Sequence, residues 1–115
     1  MARQLTSNAD IDSFISRVIL EANHHALGVA QVIKPLSDEV RQRLRLSVDK
    51  VEVYEREGKL ARTCWVTINS NRYVFTYNYT AKKIELRARS TQGALLYQFD
   101  NQASQSDLQK EVAKL

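Results

Sequence analysis

At Val51 the spacing of apolar residues changes from a helical period to a period of two, and turn-forming groups then recur at Glu57-Gly58-Lys59, Asn69-Ser70-Asn71, Ala81-Lys82 and Gln92-Gly93. This pattern predicts five antiparallel strands, about 51–56, 61–68, 72–79, 84–90 and 94–99. Directly paired residues point to the same side of a sheet, so the hairpins test one another. Two-residue loops at Gly58-Lys59, Ser70-Asn71, Ala81-Lys82 and Gln92-Gly93 place Val51, Val53, Cys64, Val66, Ile68, Tyr73, Phe75, Tyr77, Tyr79, Ile84, Leu86, Ala88, Leu95, Tyr97 and Phe99 on one face. The other face receives Glu52, Tyr54, Arg56, Thr63, Trp65, Thr67, Val74, Thr76, Asn78, Glu85, Arg87, Arg89, Leu96 and Gln98. One face is apolar and the other polar, and a slip of one residue in any strand would spoil the division.

Ahead of the meander, Ile11, Phe14, Ile15, Val18, Ile19, Ala22, Ala26, Val29, Val32 and Ile33 recur at helical spacing, which predicts one long helix from Asn8 to Ile33. Ser7 or Asn8 can cap its start, and Pro35 is expected to end it. Ser37 is the expected cap of a short second helix reaching about Val48, with Arg41, Arg43 and Arg45 toward solvent. After the meander, Ser104 or Ser106 precedes Leu108, Val112 and Leu115, the pattern of a short docked helix. The expected fold is therefore α+β: two N-terminal helices, a five-stranded antiparallel meander and a C-terminal helix. With 115 residues, residues 1–115 form a single domain.

Twelve basic and five acidic residues fall between 41 and 89, a net +7, while the rest of the chain carries −3. Positive charge gathered on one part of a domain points to an anionic partner. No apolar run long enough for a secretory signal or a membrane span is present, and the lone Cys64 fits a packed thiol in a reducing compartment, so a cytoplasmic location is expected. No Gly-rich phosphate loop, zinc-type Cys/His spacing or acid/base pair can be placed, so neither catalysis nor a metal or other cofactor is expected.

Three groups of residues stand out from the folding pattern. Ala22, Ala26 and Ala30 recur every four residues beside Gly28, a spacing that lets another helix approach closely. Ala22, His25, Ala26 and Val29 are the expected homodimer contact, the second helix being the alternative occupant. His25 reads either as a helix-interface group or as a pH-sensitive or ligand-facing one. On the polar sheet face, Trp65 stands near Thr76, Arg87 and Arg89, where a ring could stack a base and guanidinium groups hold phosphate, unless a helix covers the ring. Asp100 and Asn101 close the last strand, as turn formers or as acceptors for ribose hydroxyls.

The helical segment EANHHALGVAQVI, followed by a meander containing RYVFTYN and KIELRARSTQG, resembles the Thoeris anti-defence "sponge" group of phage proteins. The resemblance implies capture of a cyclic ADP-ribose-type signal by a non-enzymatic counter-defence protein in the host cytoplasm. No ligand contact is carried over from that group. Joined to the residues above, it gives the expectation of a dimeric binder of a small phosphorylated nucleotide using Trp65, Thr76, Arg87, Arg89, Asp100 and Asn101. The alternative is a basic nucleic-acid-binding or protein-interaction module encoded by a mobile element.

Overall fold

The computed structural model describes the backbone of residues 2–56 and 59–115, and the side chains of these residues except 2, 55, 56 and 59–62. Its elements in chain order are β1 (Ala2–Gln4), α1 (Asn8–His25), α2 (Ile33–Arg43), β2 (Lys50–Arg56), β3 (Lys59–Ile68), β4 (Asn71–Asn78), β5 (Lys83–Ala88), β6 (Leu95–Phe99) and α3 (Gln105–Val112). The strands form one antiparallel sheet in the order β1 to β6, and the helices cover its apolar face. The architecture is α+β as expected, with six strands rather than five. The added strand, β1, pairs Ala2 with Tyr54 and Gln4 with Glu52, and buries the following Leu5 against the sheet edge.

The division of faces stands within the strands, although Tyr79, expected in the core, lies beyond β4 and is exposed; β2 and β3 keep the expected partners at Val53–Cys64 and Val51–Val66, but in the later hairpins the partners move. Val66 pairs with Tyr73, Phe75 with Leu86, and Leu86 with Tyr97, each two residues away from the partner that two-residue loops at the expected positions would give. A displacement of two preserves the side of every residue, which explains why the faces survive a wrong register. The β3–β4 turn is Asn69-Ser70, both at positive φ (51° and 67°), the conformation that a two-residue hairpin requires. Of the turn expected at Glu57-Gly58-Lys59, Glu57 and Gly58 lie outside the described residues, and Lys59 already belongs to β3, paired with Arg56. Leu95 is a correction: the β5–β6 ladder shifts between Leu86 and Arg87, so Leu95 pairs with Arg87 on the outer face instead of joining the core. Gly93 in that connection is required sterically, since a Cβ there would sit 1.7 Å from the Ala88 carbonyl oxygen.

The helices depart from the long-helix expectation. Ser7 caps α1 by accepting the Asp10 N–H, but α1 stops at His25, and residues 26–32 continue as turns tied by Val29 N–H to Ala26 O and Val32 N–H to Val29 O. Periodicity runs through this break because Val29, Val32 and Ile33 are all buried, the first two in the largest core cluster and Ile33 beside Ala22 and Ala30. Pro35 does not end a helix; it sits in the first turn of α2, where backbone N–H groups have no intrahelical acceptor to lose. Ser37 accordingly lies inside α2 and donates to Lys34 O at 2.8 Å rather than capping. α2 ends at Arg43, short of Val48, with Arg41 and Arg43 at its electronegative end. In α3, Ser104 forms a reciprocal capping box with Asp107.

A cavity between the helical layer and the sheet

Two packed layers normally enclose one contiguous core. Here the buried apolar residues fall into three clusters. The largest joins α2 and α3 to the sheet through Leu36, Val66, Leu86, Phe99 and Leu108; a second gathers Leu5, Ile11, Val51 and Val53; a third holds Ala22, Ala30 and Ile33. Between them lies a cavity of about 290 Å³. α1 contributes Phe14, Ile15, Val18 and Ala22, α2 contributes Ile33, Leu36 and Val40, and the sheet contributes Cys64, Phe75, Tyr77 and Ile84.

The physical cause is the way α1 lies over the sheet. Of its eighteen residues only Ile11 and Ala22 are fully buried, and Phe14, Ile15, Val18 and Ile19 on the same stripe are half-buried. Small side chains near its C-terminal end, Ala22 and Ala26, let α1 meet the 26–33 segment closely but leave open space toward Phe75 and Tyr77. The cavity reaches the surface where it is lined by Glu21, His25 and Tyr79, all exposed. Its walls are mainly apolar, and away from that rim the residues with aliphatic hydroxyl groups on the lining are Ser37, Thr63 and Thr76, the two threonines bonded to each other at 3.1 Å. Burial pushes the Cys64 thiol up to about 12, so it stays neutral. Arg41 also borders the cavity, and its guanidinium is held by Asp12 and by Asn8 Oδ1, both on α1.

The residues singled out in the sequence occupy three separate places. Ala22, Ala26 and Val29 face inward, where they line the cavity and pack within the chain, so the close approach they permit is that of the 26–33 segment and α2. His25 alone of the four is exposed, on the cavity rim. Trp65, Thr76 and Arg87 share the outer face, with Trp65 and Arg87 both paired to Val74. Arg87 is engaged by the fold: it reaches Glu85 Oε1 at 3.1 Å and donates to Gly93 O at 2.9 Å. Asn78 and Gln98 donate to the other oxygen of the same carboxylate, at 3.1 and 3.0 Å. Arg89 is exposed beyond the end of β5, at φ 72°. The guanidinium that does lie over Trp65 belongs to Arg72, 5.6 Å from the ring centroid, a residue on the next strand that the sequence analysis passed over.

Asp100 and Asn101 form a structural clasp. Asn101 Oδ1 accepts the N–H groups of Gln31 and Val32 at 2.9 and 3.1 Å, its Nδ2 donates to Leu27 O at 2.7 Å, and its backbone N–H donates to Gly28 O. Asp100 accepts the Gln102 N–H, the local turn expected of it. The side chain of Asn101 thus fastens the α1–α2 connection to the end of β6. Asn101→Ala strands three backbone groups, two of them partly solvated, and is expected to lower unfolding free energy by about 1–3 kcal/mol in urea titrations. An unchanged midpoint would remove the clasp from the account.

Among the described residues no three or more His, Cys, Asp or Glu side chains are grouped so as to hold a metal ion, and no helix is long and apolar enough to cross a membrane. No curated protein matches the chain at a significant level. A family model described as "Integron cassette protein VCH_CASS1 chain" matches residues 11–109, which span every element from α1 through most of α3. The chain belongs to the integron cassette protein VCH_CASS1 family.

Proposed function

We propose that this protein is a non-catalytic binder that encloses a small molecule between its helical layer and its sheet. The observation that carries this reading is the cavity of about 290 Å³ that separates the three core clusters. The cavity is not a sealed void, since it opens at Glu21, His25 and Tyr79, so its mainly apolar walls bound a space that a ligand can enter. Space on that scale is better explained as a ligand chamber than as loose packing, and it lies near the lower end of small-molecule sites.

Filling the chamber tests the reading. In a tightly packed core Cys64→Leu would overfill and cost about 1–3 kcal/mol. Here the added carbons enter existing space, so stability is expected to hold or rise in thermal unfolding. Mass spectrometry of compounds released from the purified protein on denaturation should find a small molecule in the wild type and much less in the variant. A variant destabilised as in a close-packed core, with nothing released from either protein, defeats the proposal.

A second reading, sequestration of a phosphorylated nucleotide of the cyclic ADP-ribose type in a host cytoplasm, draws on the outer face. Arg72 over the Trp65 ring pairs a cation with an aromatic surface, the combination such a ligand uses. With Arg87 tied to Glu85, the variant to examine is Arg72→Ala. Loss of one charge-assisted contact should weaken nucleotide binding about tenfold or more by calorimetry. Steep salt dependence with a long polyanion, and none of this affinity for mononucleotides, would favour a nucleic-acid module instead.

A further inference from the structure

Resting on the chamber reading above, we infer that its occupant is an uncharged, mainly apolar molecule of about ten to fourteen non-hydrogen atoms with a single hydrogen-bonding end, held at the rim beside His25 and Tyr79.

Size comes from comparison with a dry apolar cavity of roughly 150 Å³ that accommodates benzene, a six-atom ring. The chamber here has about 290 Å³, which scales to a bicyclic ring system or a chain of similar bulk. Charge comes from the walls. The walls are formed chiefly by Ile15, Val18, Val66, Phe75 and Ile84, with Cys64 as a neutral thiol, while the Ser37 hydroxyl is taken up by the Lys34 carbonyl and those of Thr63 and Thr76 by each other. An ionised group placed there would lose its hydration with nothing to replace it. The one guanidinium on the lining, that of Arg41, already meets the Asp12 carboxylate and Asn8. Moving it to a ligand anion would leave Asp12 without that partner.

The polar end is placed by the rim. Glu21 and His25 stand one helical turn apart on α1, and Tyr79 stands just beyond β4, with its ring edge-on to Tyr77 at 4.9 Å. A hydroxyl or carbonyl there can exchange hydrogen bonds with imidazole, phenol or water. An anion at the same point would face the Glu21 carboxylate. The rim therefore distinguishes a neutral alcohol from a carboxylate or phosphate of the same skeleton.

Three probes with one skeleton decide the matter: 2-naphthol, 2-naphthoate and 2-naphthyl phosphate, titrated into the full chain at neutral pH by calorimetry. The neutral alcohol should bind saturably, and both anions at least about tenfold more weakly. Cys64→Leu, or Val18→Phe if that variant fails to fold, should abolish naphthol binding. Anions that bind as well as the alcohol overturn the inference on charge while leaving the chamber in use. Failure of all three probes, with Cys64→Leu still as stable as the wild type, overturns the inference on size and class. Failure of all three with Cys64→Leu destabilised removes the chamber reading itself.

Discussion

Phe99→Ala is expected to lower the unfolding free energy by about 3–5 kcal/mol, the range for fully buried aromatic truncations. Phe99 is 0 % exposed, pairs with Ile84 across the ladder, and sits in the largest core cluster with its ring 4.9 Å from Tyr97. Phe75 lies on the same face two strands away, yet it is only half-buried because it borders the chamber. Phe75→Ala should therefore cost about 1–2 kcal/mol, since less apolar area is lost and no new sealed void forms. Urea unfolding of the two variants side by side checks the contrast. Equal losses would mean that the chamber is closed and packed around Phe75.

The second large effect belongs to the outer face. Glu85 is 6 % exposed, and its carboxylate is held below the ordinary range chiefly by the hydrogen bond from Asn78, which outweighs burial, with Gln98 and Arg87 adding in the same direction. Arg87→Ala removes the charge-assisted contacts and leaves that carboxylate with amide partners alone, so a loss of about 1.5–3 kcal/mol is expected at neutral pH. Arg87, expected from the sequence to hold phosphate, is thus engaged by the fold itself. The pH dependence follows in sign. A folded-state pKa below the unfolded value of about 4.3 gives stability that is present in full above that value and is lost as pH falls through the folded one. Glu85→Gln removes the titration and keeps one acceptor oxygen for Asn78 and Gln98, while its NH2 cannot accept from Arg87; the variant starts less stable, but its unfolding midpoint should change less between pH 7 and pH 3 than that of the wild type. A parallel fall in both proteins would sink the assignment.

The sheet faces were legible in the sequence because alternation encodes parity, and parity is insensitive to a displacement of two. Partners were legible for β2 and β3 but not for the later hairpins: the Asn69-Ser70 turn and the four-residue connection 79–82 carry turn residues whose exact place in the loop alternation does not fix. β1 offered only Ala2, Arg3 and Gln4, too short a run for a period to show. The break after His25 was hidden because the following turns bury Val29 and Val32 on the side a continued helix would use. Pro35 can stop one helix or open another, and only the turns before it decide which.

For the candidate site, the pattern told which side chains face inward but not how far apart the layers stand, so the chamber was invisible. His25 was recognised as a group that could face a ligand, and its place on the rim keeps that role open within the proposal. The claim of Glu85 on Arg87 could have been read, since residues two apart on a strand share a face, whereas the fastening by Asn101 joins parts of the chain seventy residues apart and left no local trace.

The helical pair leaves the sheet from β1 and returns to it at β2, and these two strands are neighbours. Mechanically it is a flap sewn to the sheet along one border, with Leu5 N–H bonded to Val51 O at the seam. The far side of the pair is fastened as well, by the Asn101 contacts at residues 27–32, by Gln105 donating to Glu39 on α2, and by Leu36 and Val40 packing against Leu108 and Val112.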